Sequence, residues 1–328
     1  MQIKFWGTRG SLPVATTANE VRNKIIAALT AANGRRFSSA EKIAAFADTL
    51  PFSVTGSYGG NTACVELIGE SSTRSADADA NEHVICDLGS GLRPLGHAKI
   101  AAYGPTRPQT YHFFVSHLHW DHLMGLPFFV PIYIPGNRIV MHGCHANLEA
   151  AIRLQMSAPC FPVDFGQIGA TVEFDILEPG RDYEIAGFKV RAKLQLHAGD
   201  SYGYRFEQSG KAVVYSTDSE HKLDNRAEQR AFVDFFQNAD LVIFDTMYSL
   251  ADAITVKADW GHSSNIIAVE LCQDAGVARL AMFHHEPIHD DAKLTSLYEE
   301  TRRFEEITRD GHKPLEIISS YDGLLITL

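Results

Sequence analysis

Paired cysteines, a basic surplus and long apolar runs are all missing from this sequence. Its five cysteines (Cys64, Cys86, Cys144, Cys160, Cys272) are odd in number, scattered and without C-x-x-C spacing. That excludes the disulfide framework of a small secreted domain and fits reduced thiols. Acidic residues outnumber basic ones by 40 to 29, for a net charge of −11. The balance argues against holding nucleic acid or anionic lipid by bulk electrostatics, although a local basic groove or a bound cation can override it. No run approaches the roughly 18 apolar residues of a membrane-spanning helix, and the opening MQIKFWGTRGSLP lacks the basic-then-apolar pattern of a secretory signal. The expectation is a cytoplasmic protein with small or metallic partners and no membrane contact. A Pro/Ser-rich linker is also missing, so the 328 residues, 45% of them hydrophobic, read as one globular unit although length alone suggests about two.

What is present is a succession of short apolar runs. Residues 3–6, 64–69, 83–88 and 111–116 read as strands, and 138–143, 171–177, 188–196, 201–207 and 212–216 continue the series, several bounded by Gly or Pro. Between the first two, residues about 14–56 carry Ala, Leu, Ile, Glu and Lys at helical spacing over 21–32 and 39–50, a helical insertion. The polar, period-free segment 71–81 reads as an exposed loop tip. The last third alternates helices (227–237, 264–275, 290–308) with strands (241–244, 280–283, 315–319), and Ser264 and Gly276 suit the two ends of the middle helix. Strand-rich blocks interleaved with helices predict an α/β protein built as two face-to-face sheets with helices outside.

One segment concentrates chemistry. Ser116-His117-Leu118-His119-Trp120-Asp121-His122 follows the apolar strand 111–115 directly. In extended backbone His117 and His119 point to one side, and the following turn can bring Asp121 and His122 to a second position. Three imidazoles and a carboxylate crowded together have little use without a cation, and such donors suit a divalent metal. Two cations need further ligands, which must come from elsewhere in the chain.

The string H-x-H-x-D-H resembles the hallmark of the metallo-β-lactamase superfamily. FWGTRGS, YGGNTACVE, CDLGSGLRPLG, SHLHWDHLMGLPFF, LQLHAGDSYGYRF, YSTDSE, WGHSS and FHHEP follow in an order similar to its phosphodiesterase branch, which includes ribonuclease Z, phosphoribosyl cyclic phosphodiesterase and cyclic-nucleotide-degrading enzymes. The resemblance implies an αββα sandwich of two mixed sheets, a single domain over 1–328 with the insertion at about 14–56, and a homodimer. It implies that His117, His119 and His197 bind one metal and Asp121, His122 and His284 a second, with Asp218 bridging. His285 is the fallback for His284, since neighbours on a strand face opposite ways. The two ions are expected to be zinc, with manganese or iron as alternatives.

The activity implied is hydrolysis of a small or cyclic phosphodiester, a cyclic nucleotide or cyclic sugar phosphate, by a hydroxide shared between the metals. Asp121 and His262 are the catalytic candidates. His262 stands before the capped helix and can protonate the leaving group, with His221 a weaker competitor. Asp87, ending a strand, can orient a ligand imidazole. Gly7-Thr8-Arg9-Gly10-Ser11 lacks the P-loop pattern and reads as a strand-ending turn. Phe128, Phe129 and Tyr133 read as core. The net charge and the lack of a Gly/Pro-rich arm count against a large nucleic-acid substrate. Two other readings share the donors: a thioester or lactone hydrolase of glyoxalase II type, and a non-catalytic metal-dependent nucleotide sensor.

Overall fold

The computed structural model describes residues 1–70, 82–221, 225–249 and 261–328. The loop expected at 71–81 and Trp260 of the WGHSS segment lie outside the described residues.

Among the described residues, fourteen strands, numbered in chain order, form two sheets of seven. The first runs β14 (Leu325–Thr327), β1 (Gln2–Gly7), β2 (Cys64–Ile68), β3 (Glu82–Cys86), β4 (Thr110–Phe114), β5 (Arg138–Gly143), β6 (Thr171–Ile176). The second runs β13 (Glu316–Ser319), β12 (Arg279–Phe283), β11 (Leu241–Asp245), β10 (Lys211–Ser216), β9 (Ser201–Gln208), β8 (Phe188–Gln195), β7 (Asp182–Ile185). Both sheets are mixed: β3 to β6 are parallel, as are β10 to β13, and antiparallel pairs complete each sheet.

The layering follows from which faces are apolar. Every residue of β11 (LVIFD) is buried, as a strand covered on both sides requires. Phe5, Val65, Cys86 and Phe114 of the first sheet meet Tyr204, Phe206, Tyr215 and Phe283 of the second in an inner core. Each such aromatic is worth roughly 1.5–3 kcal/mol in removal from water. Helices Arg226–Phe236, Asn265–Asp274 and Asp291–Thr308 cover the outer face of the second sheet through Phe232, Phe236, Val269 and Leu297. Helices Leu92–Tyr103 and Leu148–Gln155 cover the first sheet through Leu95 and Ile152. The result is the expected αββα sandwich.

Among the elements that escaped the sequence pattern are two strands and two helices. β7 (DYEI) and β14 (LIT) are short edge strands, half open to water and so without an apolar run. Helix Leu92–Tyr103 is masked by Pro94 and Gly96, yet Pro94 sits in the first turn, where its missing N–H costs nothing. Helix Leu148–Gln155 is too short for a clear period. In the 14–56 region, helices Ala18–Ala31, Ala40–Ala47 and Phe52–Thr55 lie between β1 and β2, and none buries a residue fully. Thr17 and Glu20 cap the first in a reciprocal box. Lys24 ties it down through Ser53 O at 2.6 Å, Gly56 O at 2.7 Å and Asp291 Oδ2 at 2.6 Å. No helix among the described residues is long and apolar enough to cross a membrane.

Candidate metal centre

Loops at the carboxyl ends of the parallel strands carry the chemistry-bearing residues, where backbone leaves the ladder and side chains converge between the sheets. Asp87 follows β3, the His117–His122 segment follows β4, Asp218 follows β10, Asp245 ends β11 and His284 follows β12. His197 follows β8. Asp87, Asp218 and His284 all have left-handed backbone, with φ of 59°, 43° and 59°. That region is disfavoured for residues with a Cβ, and strain of this kind gathers where side-chain placement matters more than local comfort.

All seven side chains expected from the sequence come together, as two sets that share Asp218. In the first, His119 Nδ1 lies 3.2 Å from His197 Nε2. Asp218 Oδ2 lies 3.7 Å from His117 Nε2 and 3.8 Å from His197 Nε2. In the second, His122 Nε2 lies 3.1 Å from Asp121 Oδ2, 3.2 Å from Asp218 Oδ1 and 3.3 Å from His284 Nε2. His284 Nε2 is 3.4 Å from Asp121 Oδ2 and 3.3 Å from Asp218 Oδ1. Donors bound tetrahedrally at about 2.0–2.1 Å would stand roughly 3.3 Å apart, so the second set matches one cation without rearrangement. His285 turns away and donates to Ser320 O at 2.9 Å, so of the two neighbours it is His284 that stands in the cluster.

The hydrogen bonds behind these donors engage Nδ1 of His117, His122 and His197 and leave Nε2 of each facing inward. His117 Nδ1 donates to Ser116 Oγ at 3.0 Å, which donates to Asp87 Oδ2 at 2.7 Å. His122 Nδ1 lies 2.7 Å from the same Asp87 oxygen, and Tyr215 OH reaches it from the opposite sheet at 2.7 Å. His197 Nδ1 donates to Gly261 O at 2.8 Å. His117 Nε2 is therefore an acceptor, and it is buried with no hydrogen-bond partner, an atom that a cation would satisfy. Burial above all drives His117, His119 and His197 below the usual histidine range, toward the neutral ligating form. His122 is the opposite: burial opposes its charge, but Asp218, Asp121 and Asp87 outweigh that and hold a proton on it. Carboxylates this concentrated demand positive charge, and a divalent cation supplies it. The donor set fits two metal ions.

Two residues of the FWGTRGS turn touch the second set, although the sequence suggested only a strand end. Ser11 N donates to Asp121 Oδ2 at 2.8 Å. Gly10 lies so close that a Cβ there would stand 2.5 Å from His284 Cε1. Gly261 plays a similar part at the first set: with φ of 81°, its Cβ would fall 2.4 Å from His197 Nδ1.

His262 sits beside the cluster, stacked on His284 with ring centroids 5.0 Å apart. Its Nδ1 donates to Asp245 Oδ2 at 2.8 Å. Burial opposes the imidazolium, but Asp245 prevails and lifts its pKa to about 9. Asp245 was missed in the sequence, yet a carboxylate ending the wholly apolar run LVIFD is the same signal that marked Asp87. His221 is packed between Phe232 and Phe244, where burial pushes it down to about 3, so it does not compete with His262. Asn61 is scaffold, bonded through its side chain to Asp322 and Ser90. Phe129 is core, whereas Phe128 is 56% exposed.

An αββα sandwich with a His/Asp cluster at its strand ends defines a class, and the family comparison agrees. The beta-lactamase superfamily domain matches residues 97–285, more than half the chain, and the protein belongs to that superfamily. Ribonuclease Z of Oceanobacillus iheyensis is 23% identical over 279 residues, covering 69% of this chain and 82% of that protein. In fold, the chain is similar to unliganded yeast PDE1, with a TM-score of 0.62 at 12% identity over 100% of this chain and 99% of the other. It is also similar to the short form of human tRNase Z, with a TM-score of 0.58 at 16% identity over 100% and 99%. With a ribonuclease among the relatives, the charge-based expectation of no large nucleic acid is too strong. A net charge of −11 averages the whole surface, and a local cationic centre can override it.

Proposed function

We propose that this protein is a metal-dependent hydrolase of phosphodiesters, acting on a small or cyclic phosphodiester, with His117, His119 and His197 holding one divalent cation, Asp121, His122 and His284 a second, and Asp218 shared. The observation that carries the reading is the division of the Asp218 carboxylate, Oδ1 beside His122 and His284, Oδ2 beside His117 and His197. Two cations held there would lower the pKa of water and act as Lewis acids toward a phosphoryl group. Zinc is the expected ion, since nitrogen and carboxylate donors suit it.

The chain's own residues do the rest. Asp87 accepts from His122 Nδ1 directly and from His117 through Ser116, so that Nε2 of both faces inward, where a cation would take the place of the proton that the carboxylates otherwise hold on His122. Asp245 holds Nδ1 of His262 and favours its protonated form, leaving Nε2 to give a proton to the departing oxygen. Ser264 caps helix Asn265–Asp274 immediately after His262 by accepting from Ile267 N, and Asn265 N donates to Tyr248 O at 3.3 Å, which fixes the chain that carries His262. The whole chain serves as one domain in this reading, with 14–56 as an insertion.

The test is turnover by metal-analysed protein of 2′,3′- and 3′,5′-cyclic nucleotides, bis-p-nitrophenyl phosphate, a short RNA and S-lactoylglutathione. Hydrolysis of the diesters and not the thioester supports the proposal. Thioester hydrolysis alone replaces it with the glyoxalase-type reading. Stoichiometric nucleotide binding without turnover replaces it with the sensor.

A further inference from the structure

The two donor sets differ in access, and that difference says from which side a substrate arrives. Asp121, His122, Asp218 and His284 are all buried, whereas His119 is exposed and His197 half-buried. A substrate therefore meets the centre on the His119 side. Next to His119 in the chain stands Trp120, 81% exposed, as exposed as any large apolar side chain among the described residues. An indole left in water between two residues of a metal cluster contributes nothing to the core, and a surface aromatic in a functional loop is the kind of group that binds.

The ring is presented by rigid backbone. His119 immediately precedes the short helix Trp120–Leu123, His122 N donates to His119 O at 3.1 Å, and Met124 N donates to Trp120 O at 2.7 Å. Leu123 anchors the turn in the core, and Gly125 N is bonded to Leu88 O at 2.8 Å. An indole on fixed backbone has only two side-chain torsions to lose when a planar partner covers it. In a chain of net charge −11, stacking also attracts a base without needing a cationic side chain. Leu196, exposed and immediately before His197, adds apolar surface at the half-buried ligand.

We propose that Trp120 is a specificity-determining residue, the platform on which the nucleobase of the substrate stacks, so that the substrate class is a nucleoside phosphodiester rather than a base-free sugar or alkyl phosphodiester. This rests on the phosphodiesterase reading above. The experiment compares thymidine 5′-(p-nitrophenyl phosphate) with methyl p-nitrophenyl phosphate, which share a leaving group and differ in the base-bearing side. In the metal-loaded wild type kcat/KM favours the nucleoside diester. In Trp120→Ala that preference falls by about 5- to 100-fold, the usual worth of one stacked base, through KM more than kcat, and Trp120→Phe restores most of it.

Equal losses on both diesters would make Trp120 a structural residue and overturn the proposal. So would an unchanged preference, including one accompanied by a change of oligomeric state, which would assign the indole to a contact between copies. If the wild type hydrolyses neither diester, the phosphodiesterase reading fails by itself, and calorimetry then decides the stacking. Trp120→Ala must weaken thymidine 5′-monophosphate binding relative to inorganic phosphate by a similar factor, and equal weakening of the two would refute it.

Discussion

The first sheet supplies four of the candidate ligands from one loop, His117 to His122, whereas the second supplies three from three separate strand ends, His197, Asp218 and His284. The first arrangement is a local sequence device, set by a strand, a turn and a short helix. The second exists only because β8, β10 and β12 lie in one sheet whose strand ends gather opposite that loop. Tyr204 and Tyr215 of the second sheet, hydrogen-bonded to Val115 O and Asp87 of the first, hold the two halves in register. Half of the centre is thus written in the chain and half in the packing, and each can be broken separately.

Asp218 belongs to both sets, so its loss should have the largest effect. Asp218→Ala is expected to release both cations and lower turnover by at least about 1,000-fold; metal analysis and circular dichroism check that ions are lost while the fold stays. His119→Ala removes a donor from the open set and should likewise abolish turnover with the fold largely intact. Gly10→Ala attacks the other side of the comparison. The new Cβ collides with His284, so metal content should drop from two ions to one, whereas retention of both would show that the turn yields.

Asp87→Asn keeps the shape but removes the charge that orients His117 and His122, and metal affinity should fall by about 10- to 100-fold. The His262 pair gives a pH test. A proton held up to about pH 9 is present below that value and lost above it, so the rate should decline as pH rises through about 9. In Asp245→Asn burial dominates, and the decline should move down to or below the ordinary histidine value of about 6.5. The smallest effect belongs outside the centre: Lys24→Met frees helix Ala18–Ala31 from its three acceptors and should cost about 1 kcal/mol of stability with kcat/KM unchanged.

Legibility in the sequence followed the same division. The strands of the sandwich announced themselves because central strands are apolar on both faces, and β7 and β14 did not because edges are not. The cluster after β4 was plain from residue types alone. His197, Asp218 and His284 are isolated in the chain and each has an ordinary alternative, so only their resemblance to a family pattern singled them out. Ser11 and Gly10 gave no such sign, since a backbone amide and a missing Cβ act through space, whereas Asp245 carried the strand-end signal of Asp87 and was passed over.

Composition, alternation and one dense motif were enough to dictate an α/β sandwich with a cation-binding loop, because strand period and ligand type are local properties. Which of His284 and His285 faces inward, which carboxylate oxygen serves which set, and that Asp245 partners His262 were decided by the tertiary structure. Each depends on a backbone turn at a strand end and on groups brought from more than one sheet, and contacts across such distances are settled only when the two layers close.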